Sequence, residues 1–315
     1  IPSAKVGRIQ GKIIDIEGKD IVIGMLQSLS MKTYNDNTFD GFGFTVVDEC
    51  HHISSEVFSK SLTRIVTKYT LGLSATMNRK DGLTHVFKMF LGNIACAIER
   101  EKGDNVLIKS LEFISNDTEF EEVVLDYRGN PQYSTMISKL CDYSDRSEFI
   151  LKVVQKELKE TPDQQIMILG QNKNLLVYLY DAIEHRQIAS VGYYVGGMKE
   201  SKLKESESKK IIVATYAMAA EGLDIKSLTT LILATPRTDV VQAVGRILRV
   251  KRNRPMVIDI VDTHDVFKRQ YKKRVTFYRK NNYKIITSDS VNYFKDIWKN
   301  TDKPVKKGVK CLINI

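Results

Sequence analysis

The sequence predicts an α/β fold in which two domains are built around parallel sheets, and three observations support this prediction. Short apolar runs rich in β-branched residues recur along the chain without strict alternation, which suits strands buried on both faces of a sheet. Amphipathic helical stretches lie between these runs, as crossovers between parallel strands require. The length of 315 residues exceeds one ordinary domain and suffices for two.

The apolar runs fall into two series, one for each predicted sheet. The first series is DIVIGM (20–25), FTVV (44–47), YTLGL (69–73) and IACAI (94–98). The second series is QIMIL (165–169), GYYV (192–195), KIIVAT (210–215), TLILA (230–234) and PMVIDIV (255–261). Apolar residues at helical spacing predict helices over 146–159 and 172–185, and a long basic helix is expected around Phe267–Tyr278.

The alternation of predicted strands and helices is interrupted between about Glu101 and Gln132. Acidic and turn residues are frequent there around one clear strand, VLIKSLEF. We therefore expect a first domain at 1–104, a connection at 105–130 and a second domain at 131–285. Residues 286–315 form a short basic carboxy-terminal extension in this prediction. Its Trp298, the sole tryptophan, either packs on the second domain or docks a partner.

The positive charge of the chain is concentrated near its carboxyl end. The net charge is +10, and the segment from Arg246 to Lys310 carries +13 while the remainder carries −3. Such a concentration is typical of a protein with a polyanion partner, and a solvated basic tail is the alternative. Four dispersed cysteines without C-x-x-C spacing, and no apolar run of membrane-spanning length, predict a soluble intracellular protein.

The segment FTVVDECHHI (44–53) ends an apolar strand in two adjacent carboxylates. Ligands of open α/β sheets bind outside the carboxyl ends of the strands. In phosphoryl transfer one carboxylate, Asp48, can hold Mg²⁺ while its neighbour Glu49 orients the attacking water. His51 is then placed to couple this site to the second domain. A surface acidic turn is the alternative interpretation.

The segment DVVQAVGRILRV (239–250) places Gln242, Arg246 and Arg249 at i, i+4 and i+7, hence on one helical face. Two guanidinium groups on one face can clamp a γ-phosphate, and Gly245 allows close approach. A salt-bridged basic helix is the alternative. Three apolar residues favour a largely buried helix instead: Val244, Ile247 and Leu248.

Taken together, these motifs resemble those of superfamily 2 helicases. DECH (48–51) matches the DExH form of motif II, and QAVGRILR (242–249) matches motif VI. Three further segments resemble motif III, motif V and a strand-and-turn that contacts nucleic acid: LSATMNRKDG (73–82), IIVATYAMAAEGLDI (211–225) and DIVIGMLQSLS (20–30). Within the superfamily, the chain resembles the XPB-like group, and residues 255–285 resemble the helicases of large DNA viruses.

The resemblance covers nearly all of residues 1–285 and implies two RecA-like domains, the first incomplete, in an ATP-dependent helicase or translocase. ATP and Mg²⁺ would be its cofactors, with Asp48 and Glu49 at the metal. Its partner would be single- or double-stranded nucleic acid, with DNA favoured over RNA only through the family. A viral source would place the protein in the host cytoplasm or viral factory, the virion or the nucleus.

The resemblance also implies roles for individual residues. Gly222 and Asp224, with Glu221 nearby, would face the nucleotide. Gln242 would complete the ATP site, with Arg246 and Arg249 as arginine fingers. Residues that couple hydrolysis to strand engagement would be Ser74 and Thr76. Residues that contact the nucleic acid would be Gln27, Ser28, Arg79 and Thr215. Lys251, Arg252 and Arg254 would be general phosphate contacts or a solvated loop.

One element of the family pattern has no match, the G-x-x-x-x-G-K-[ST] loop that cradles the β- and γ-phosphates. The fragments GRIQGKII (7–14) and IEGKDI (16–21) lack the hydroxyl residue after the lysine. We therefore expect the loop to precede Ile1 in a chain shortened at its amino end, with an exposed edge in the first sheet and poor ATP affinity. The alternative is a non-catalytic nucleic-acid-binding remnant of a helicase.

Overall fold

The fold comes from a computed structural model, which describes residues 2–50, 56–74, 84–97, 106–220, 225–247 and 255–300. The chain divides into two units, residues 1–99 and 100–315. Both units combine parallel strands with helices, so the predicted α/β class is confirmed.

The described part of the first unit contains two small sheets. One has the strand order β2-β1-β3, with β1 antiparallel to β2 and parallel to β3, and the other pairs β4 with β5 in parallel. The strands are β1 (Val6–Gln10), β2 (Ile13–Asp15), β3 (Ile21–Gly24), β4 (Phe44–Val47) and β5 (Tyr69–Gly72). The helices are α1 (Leu26–Met31), α2 (Glu56–Arg64) and α3 (Thr84–Leu91).

The first unit buries little apolar surface in the part that the structure describes. Its buried cluster consists of Ile9, Leu29 and Phe39. On the two-stranded sheet, Phe44 is 56% exposed and Tyr69 is 61% exposed. Because β4 and β5 pair only with each other among the described strands, each has one open edge.

The second unit is built on one eight-stranded sheet of order β13-β12-β6-β11-β10-β7-β9-β8, parallel except for β13. Its strands are β6 (Leu107–Phe113), β7 (Ile166–Gly170), β8 (Val191–Tyr194), β9 (Ile211–Thr215), β10 (Thr230–Leu233), β11 (Met256–Asp262), β12 (Lys284–Asp289) and β13 (Lys299–Asn300). Its helices are α4 (Thr118–Glu121), α5 (Tyr133–Asp142), α6 (Ser144–Glu160), α7 (Lys173–His185), α8 (Glu200–Glu207), α9 (Tyr216–Ala220), α10 (Val241–Ile247) and α11 (Asp265–Lys280).

The central strands of the second unit are buried on both faces. Every residue of β7, β10 and β11 is buried, and two apolar clusters cover the opposite faces of the sheet. This confirms the prediction drawn from their continuous apolar runs. The predicted amphipathic helices are present as α6 and α7, and the Asn172 side chain caps α7 by accepting the Leu175 N–H.

Two buried ion pairs attach helices to strand β11. Arg146 of α6 donates two hydrogen bonds to Asp262, and both side chains are 0% exposed. Arg274 of α11 pairs in the same bidentate way with Asp259. A buried charge is tolerated only when it is paired and hydrogen-bonded, so these pairs require that both helices keep their positions on the sheet.

Two predicted boundaries need correction because of strand pairing. The segment 105–130, expected as a connection, contributes β6, which is hydrogen-bonded between β11 and β12 in the second unit. The extension predicted at 286–315 contributes the end of β12 and then β13 to the same sheet. Residues 301–315 lie outside the described part of the chain.

Trp298 packs on the second unit, as one of its two alternatives expects. Its ring centroid lies 5.6 Å from that of the buried Tyr293, and the Tyr293 hydroxyl donates to Glu157 Oε1 at 2.7 Å. The strand predicted from IACAI is not formed over residues 94–97. Ile94 there is 47% exposed, and an apolar run without a neighbouring strand gains no ladder of hydrogen bonds.

Candidate functional site

The predicted carboxylate pair lies in a tight turn at the carboxyl edge of the β4–β5 sheet. Past the end of the strands, the Leu73 N–H donates to the Val47 carbonyl at 2.8 Å, and the Cys50 N–H donates to the Leu73 carbonyl at 2.9 Å. The Asp48 side chain is exposed, and its Oδ1 accepts the Glu49 N–H at 2.9 Å. The structure therefore presents adjacent carboxylates where ligands of open α/β sheets bind.

Glu49 has a backbone conformation that is unusual for a residue with a side chain. Its φ is +46°, in the left-handed region, which costs a non-glycine residue of order 1 kcal/mol. The left-handed residue turns the chain between the exposed Asp48 and the buried Cys50. The two carboxylates can therefore point in different directions, as two separate chemical roles require.

A close approach beneath the turn was not found from the sequence. A Cβ on Gly72 would lie 3.1 Å from Cys50 Sγ and 2.6 Å from Leu91 Cδ1, so only glycine fits there without displacement. Burial raises the pKa of the Cys50 thiol. The sequence signal was present, since a glycine stands inside an apolar strand where close backbone approach is common.

Ser74 lies at the same edge of the sheet as the two carboxylates. The register pairs Val47 with Gly72, so the residues that follow these two strand ends are neighbours. Ser74 is half-buried. The coupling partner Thr76, as well as His51 and Arg79, lies outside the described residues.

Gln27 and Ser28 lie on the short helix α1 directly after β3. Gln27 is exposed, whereas the Ser28 hydroxyl accepts the Gly11 N–H at 3.1 Å and so holds the β1–β2 turn. No local pattern pointed to Arg64, which donates to the carbonyls of Leu29, Ser30 and Lys32 at the end of α1 and thereby positions this helix.

In the second unit, Thr215 is the last residue of β9 and Gln242 is the second residue of α10. The Thr215 hydroxyl accepts the Met218 N–H at 3.4 Å, at the start of α9. Val244 and Ile247 are buried, which confirms the predicted burial of this helix for these two residues. The other predicted residues here lie beyond what the structure describes: Gly222, Asp224, Glu221, Leu248, Arg249, Lys251, Arg252, Arg254 and the side chain of Arg246.

The loop before α10 is held by a network that was not found from the sequence. The Arg237 guanidinium lies 5.0 Å from the centre of the Tyr216 ring, and the Tyr216 hydroxyl donates to the Thr235 carbonyl at 2.7 Å. Arg274 donates to the Arg237 carbonyl at 2.6 Å. The start of the predicted arginine-finger helix is therefore tied to the buried Arg274–Asp259 pair.

The basic region predicted near the carboxyl end forms an exposed face of α11. Its exposed cations are Arg269, Lys272, Lys273, Arg279 and Lys280. Among the described residues, no three or more His, Cys, Asp or Glu side chains are grouped as metal ligands. None of the described helices is long and apolar enough to cross a membrane.

Comparison with known families agrees with this geometry. Residues 4–82 match the DEAD/DEAH box helicase family, and residues 149–253 match the helicase conserved C-terminal domain. The first match contains the Asp48–Glu49 turn, and the second contains β9 and α10. The chain therefore carries one segment similar to each of these two helicase domains, the first in unit 1–99 and the second in unit 100–315.

Viral proteins are among the relatives of the chain. A protein of Acanthamoeba polyphaga mimivirus, assigned as an ATP-dependent RNA helicase, is 37% identical over 315 residues, which cover 96% of this chain and 60% of that protein. A protein of Invertebrate iridescent virus 6, assigned as a helicase, is 25% identical, with 87% of this chain and 65% of that protein covered. The chain thus spans less than two thirds of the length of either relative.

The fold is also similar to that of a solved structure. S. cerevisiae Dbp5 bound to RNA and ADP BeF3 aligns with a TM-score of 0.58 at 12% identity, with 93% of this chain and 72% of that chain covered. This similarity establishes RecA-like domains as the fold of the chain, and confirms that prediction.

Proposed function

We propose that the chain is the larger part of an ATP-dependent nucleic-acid helicase or translocase. The observation that carries the proposal is the Asp48–Glu49 turn at the carboxyl edge of parallel strands, beside Ser74, within the segment that matches the DEAD/DEAH box family. The chemistry is hydrolysis of the γ-phosphate of ATP, coupled to movement along a strand.

The exposed Asp48 carboxylate fits a role at Mg²⁺. This ion usually binds to proteins through one or two carboxylates and completes its shell with water and substrate phosphates. When bound, it would neutralise charge on the phosphate oxygens. Glu49 would accept a proton from the attacking water, because the left-handed backbone at this residue allows its carboxylate to point away from that of Asp48.

The second unit supplies the positive charge in this proposal. Arg246 and Arg249 would stabilise the charge that grows on the phosphate in the transition state, and Gln242 would help to orient the nucleotide. Gly222 and Asp224 would face the nucleotide. Replacement of either arginine by alanine should lower ATP turnover by roughly 10³-fold. Normal turnover in one of these variants would refute the role of that arginine.

The nucleic-acid contacts would come from Gln27, Ser28, Arg79 and Thr215, with Ser74 and Thr76 coupling the strand to hydrolysis. Ser28 has the weaker case among them, because its hydroxyl already holds the Gly11 N–H. Binding should weaken with salt, since phosphate contacts dominate such interfaces. DNA is proposed over RNA only on the resemblance to helicases of large DNA viruses, and equal stimulation of ATPase activity by RNA would contradict it.

The test is ATP hydrolysis with and without single-stranded DNA or RNA by the wild-type protein, by Glu49→Gln and by the control Glu17→Gln, which lies in the turn between β2 and β3. Glu49→Gln should abolish turnover and keep nucleic-acid binding, and the control should behave as wild type. Measured on this chain and on a version extended upstream, the assay also tests the expected upstream phosphate-binding loop. Nucleic-acid binding without turnover in both versions would favour the non-catalytic remnant.

A further inference from the structure

A cavity of about 360 Å³ lies beneath helix α11 in the second unit, against strands β6, β11 and β12. This volume is within the range of roughly 300–1,000 Å³ of small-molecule sites in proteins. None of the residues predicted to act on ATP or on the strand lines it. The cavity therefore needs an explanation of its own.

The cavity has an apolar wall formed by Val261, Tyr271 and Ile297. Tyr271 is half-buried and projects from α11, and Ile297 stands in the segment before β13. An aromatic side chain beside two aliphatic ones is a surface on which a flat ring can stack.

A buried hydroxyl at the cavity lacks a well-formed hydrogen bond to any described residue. Ser110 of β6 is 2% exposed, and its Oγ makes no hydrogen bond to any described group, although the Tyr271 hydroxyl is close by. By contrast, the hydroxyls of Thr287 and Ser288 already donate to backbone carbonyls. A buried polar atom without a partner is costly, so a ligand atom that bonded Ser110 would be favoured.

Two of the lysines that line the cavity are not paired with a carboxylate of the described residues and can contact a ligand. Lys268 pairs with Glu112 at 3.3 Å, and the Asp289 carboxylate accepts two backbone N–H groups and an amide of its own loop. Lys272 and Lys299 are exposed and have no carboxylate within ion-pair distance among the described residues, although Lys299 lies near Asp289. The rim is therefore suited to an anionic group.

We propose that this cavity binds a nucleotide unit, that is, a flat heterocyclic ring carrying a phosphate. The ring packs against Tyr271 and its apolar neighbours, and a polar ring atom bonds the Ser110 hydroxyl. The phosphate lies between Lys272 and Lys299. The unit is either a free mononucleotide or one residue of a bound strand. The site is separate from the ATP chemistry proposed above and does not depend on it.

The test is binding of AMP to the protein without ATP, measured by titration calorimetry. The wild-type protein should bind AMP with a measurable affinity in the micromolar to millimolar range. The double variant Lys272→Ala/Lys299→Ala should bind about tenfold more weakly, and Ser110→Ala about threefold more weakly. The matched control is Lys273→Ala, an exposed cation of the same helix that does not line the cavity, and it should bind as wild type.

Circular dichroism melts of each variant confirm that a loss of binding does not reflect unfolding. Absence of saturable AMP binding by the wild-type protein would overturn the proposal. So would unchanged AMP affinity in a folded double variant. A short oligonucleotide identifies the source, since displacement of AMP by it indicates a strand residue, and retention of AMP indicates a free nucleotide.

Discussion

At the scale of single residues, the fully buried Arg146–Asp262 pair joins three elements of the second unit. The guanidinium reaches both carboxylate oxygens, at 2.6 and 2.9 Å, and also the Ala234 carbonyl at 2.8 Å. The three groups belong to α6, to β11 and to the end of β10. Removal of one member of such a pair leaves the other charge buried without compensation.

Asp262→Ala should therefore lower the free energy of unfolding by about 3–5 kcal/mol, measured by urea denaturation. The matched control is Glu148→Gln, which breaks the partly exposed pair of Glu148 with Arg186 and should cost less than about 1 kcal/mol. Equal losses in the two variants would show that burial of the Arg146 pair has no energetic weight.

Glu148 gives a prediction about pH. Hydrogen bonds from Arg186 and Tyr178 lower the pKa of its carboxyl from 4.5 to about 2. Because the pair is partly exposed, solvent screening keeps its contribution to stability below what this shift alone would imply. A lowered pKa means that the stabilising contribution is fully present above pH 4.5 and is lost as pH falls towards 2. The difference in urea midpoint between wild type and Glu148→Gln should shrink through this window. A difference that stays constant from pH 7 to pH 2 would contradict the assignment.

The position of a candidate site residue could be predicted from the sequence where the site is formed by residues adjacent in the chain. Asp48 and Glu49 follow a strand directly, and their position at its carboxyl edge was predicted from that fact alone. Arg64, Arg237 and the hydroxyl of Ser110 were not found, because each acquires its role from partners distant in the chain. No local pattern marks such partners.

At the scale of elements, strands with long apolar runs were predicted almost to the residue. FTVV is β4 without change, and TLIL and MVIDIVD form β10 and β11. The errors in the prediction concern which segments join which sheet. Strand β6 is separated from its partner β11 by more than a hundred residues, and sequence periodicity carries no information about such pairing.

Hydrogen exchange should distinguish the strands of the two units. The β4–β5 pair has open edges and exposed apolar side chains, whereas β7 and β10 are buried between neighbouring strands. Isolated two-stranded pairs are only marginally stable in water, and opening of a local region permits exchange. Amides of β7 and β10 should be protected at least about 100-fold more than those of β4 and β5. Equal protection would show that the first unit is stabilised by more than its described contacts.

At the scale of the whole molecule, the segments that match the two helicase domain families lie in different units. The two units differ in their sheets and in the size of their cores. In the described residues, the second unit has a continuous sheet with two apolar clusters and buried ion pairs, while the first has two small sheets and one small apolar cluster. The carboxylates belong to the first unit and the arginine motif to the second. Neither unit alone holds the full set of residues that the proposed reaction uses.

The measurement that tests the proposal most directly is ATP hydrolysis stimulated by single-stranded nucleic acid, in wild type and in Glu49→Gln, with the chain extended upstream. The proposal predicts that nucleic acid raises turnover in the wild-type protein and that Glu49→Gln abolishes turnover while strand binding is retained. Turnover that persists in Glu49→Gln, or a wild-type protein that binds nucleic acid without hydrolysing ATP, would contradict it.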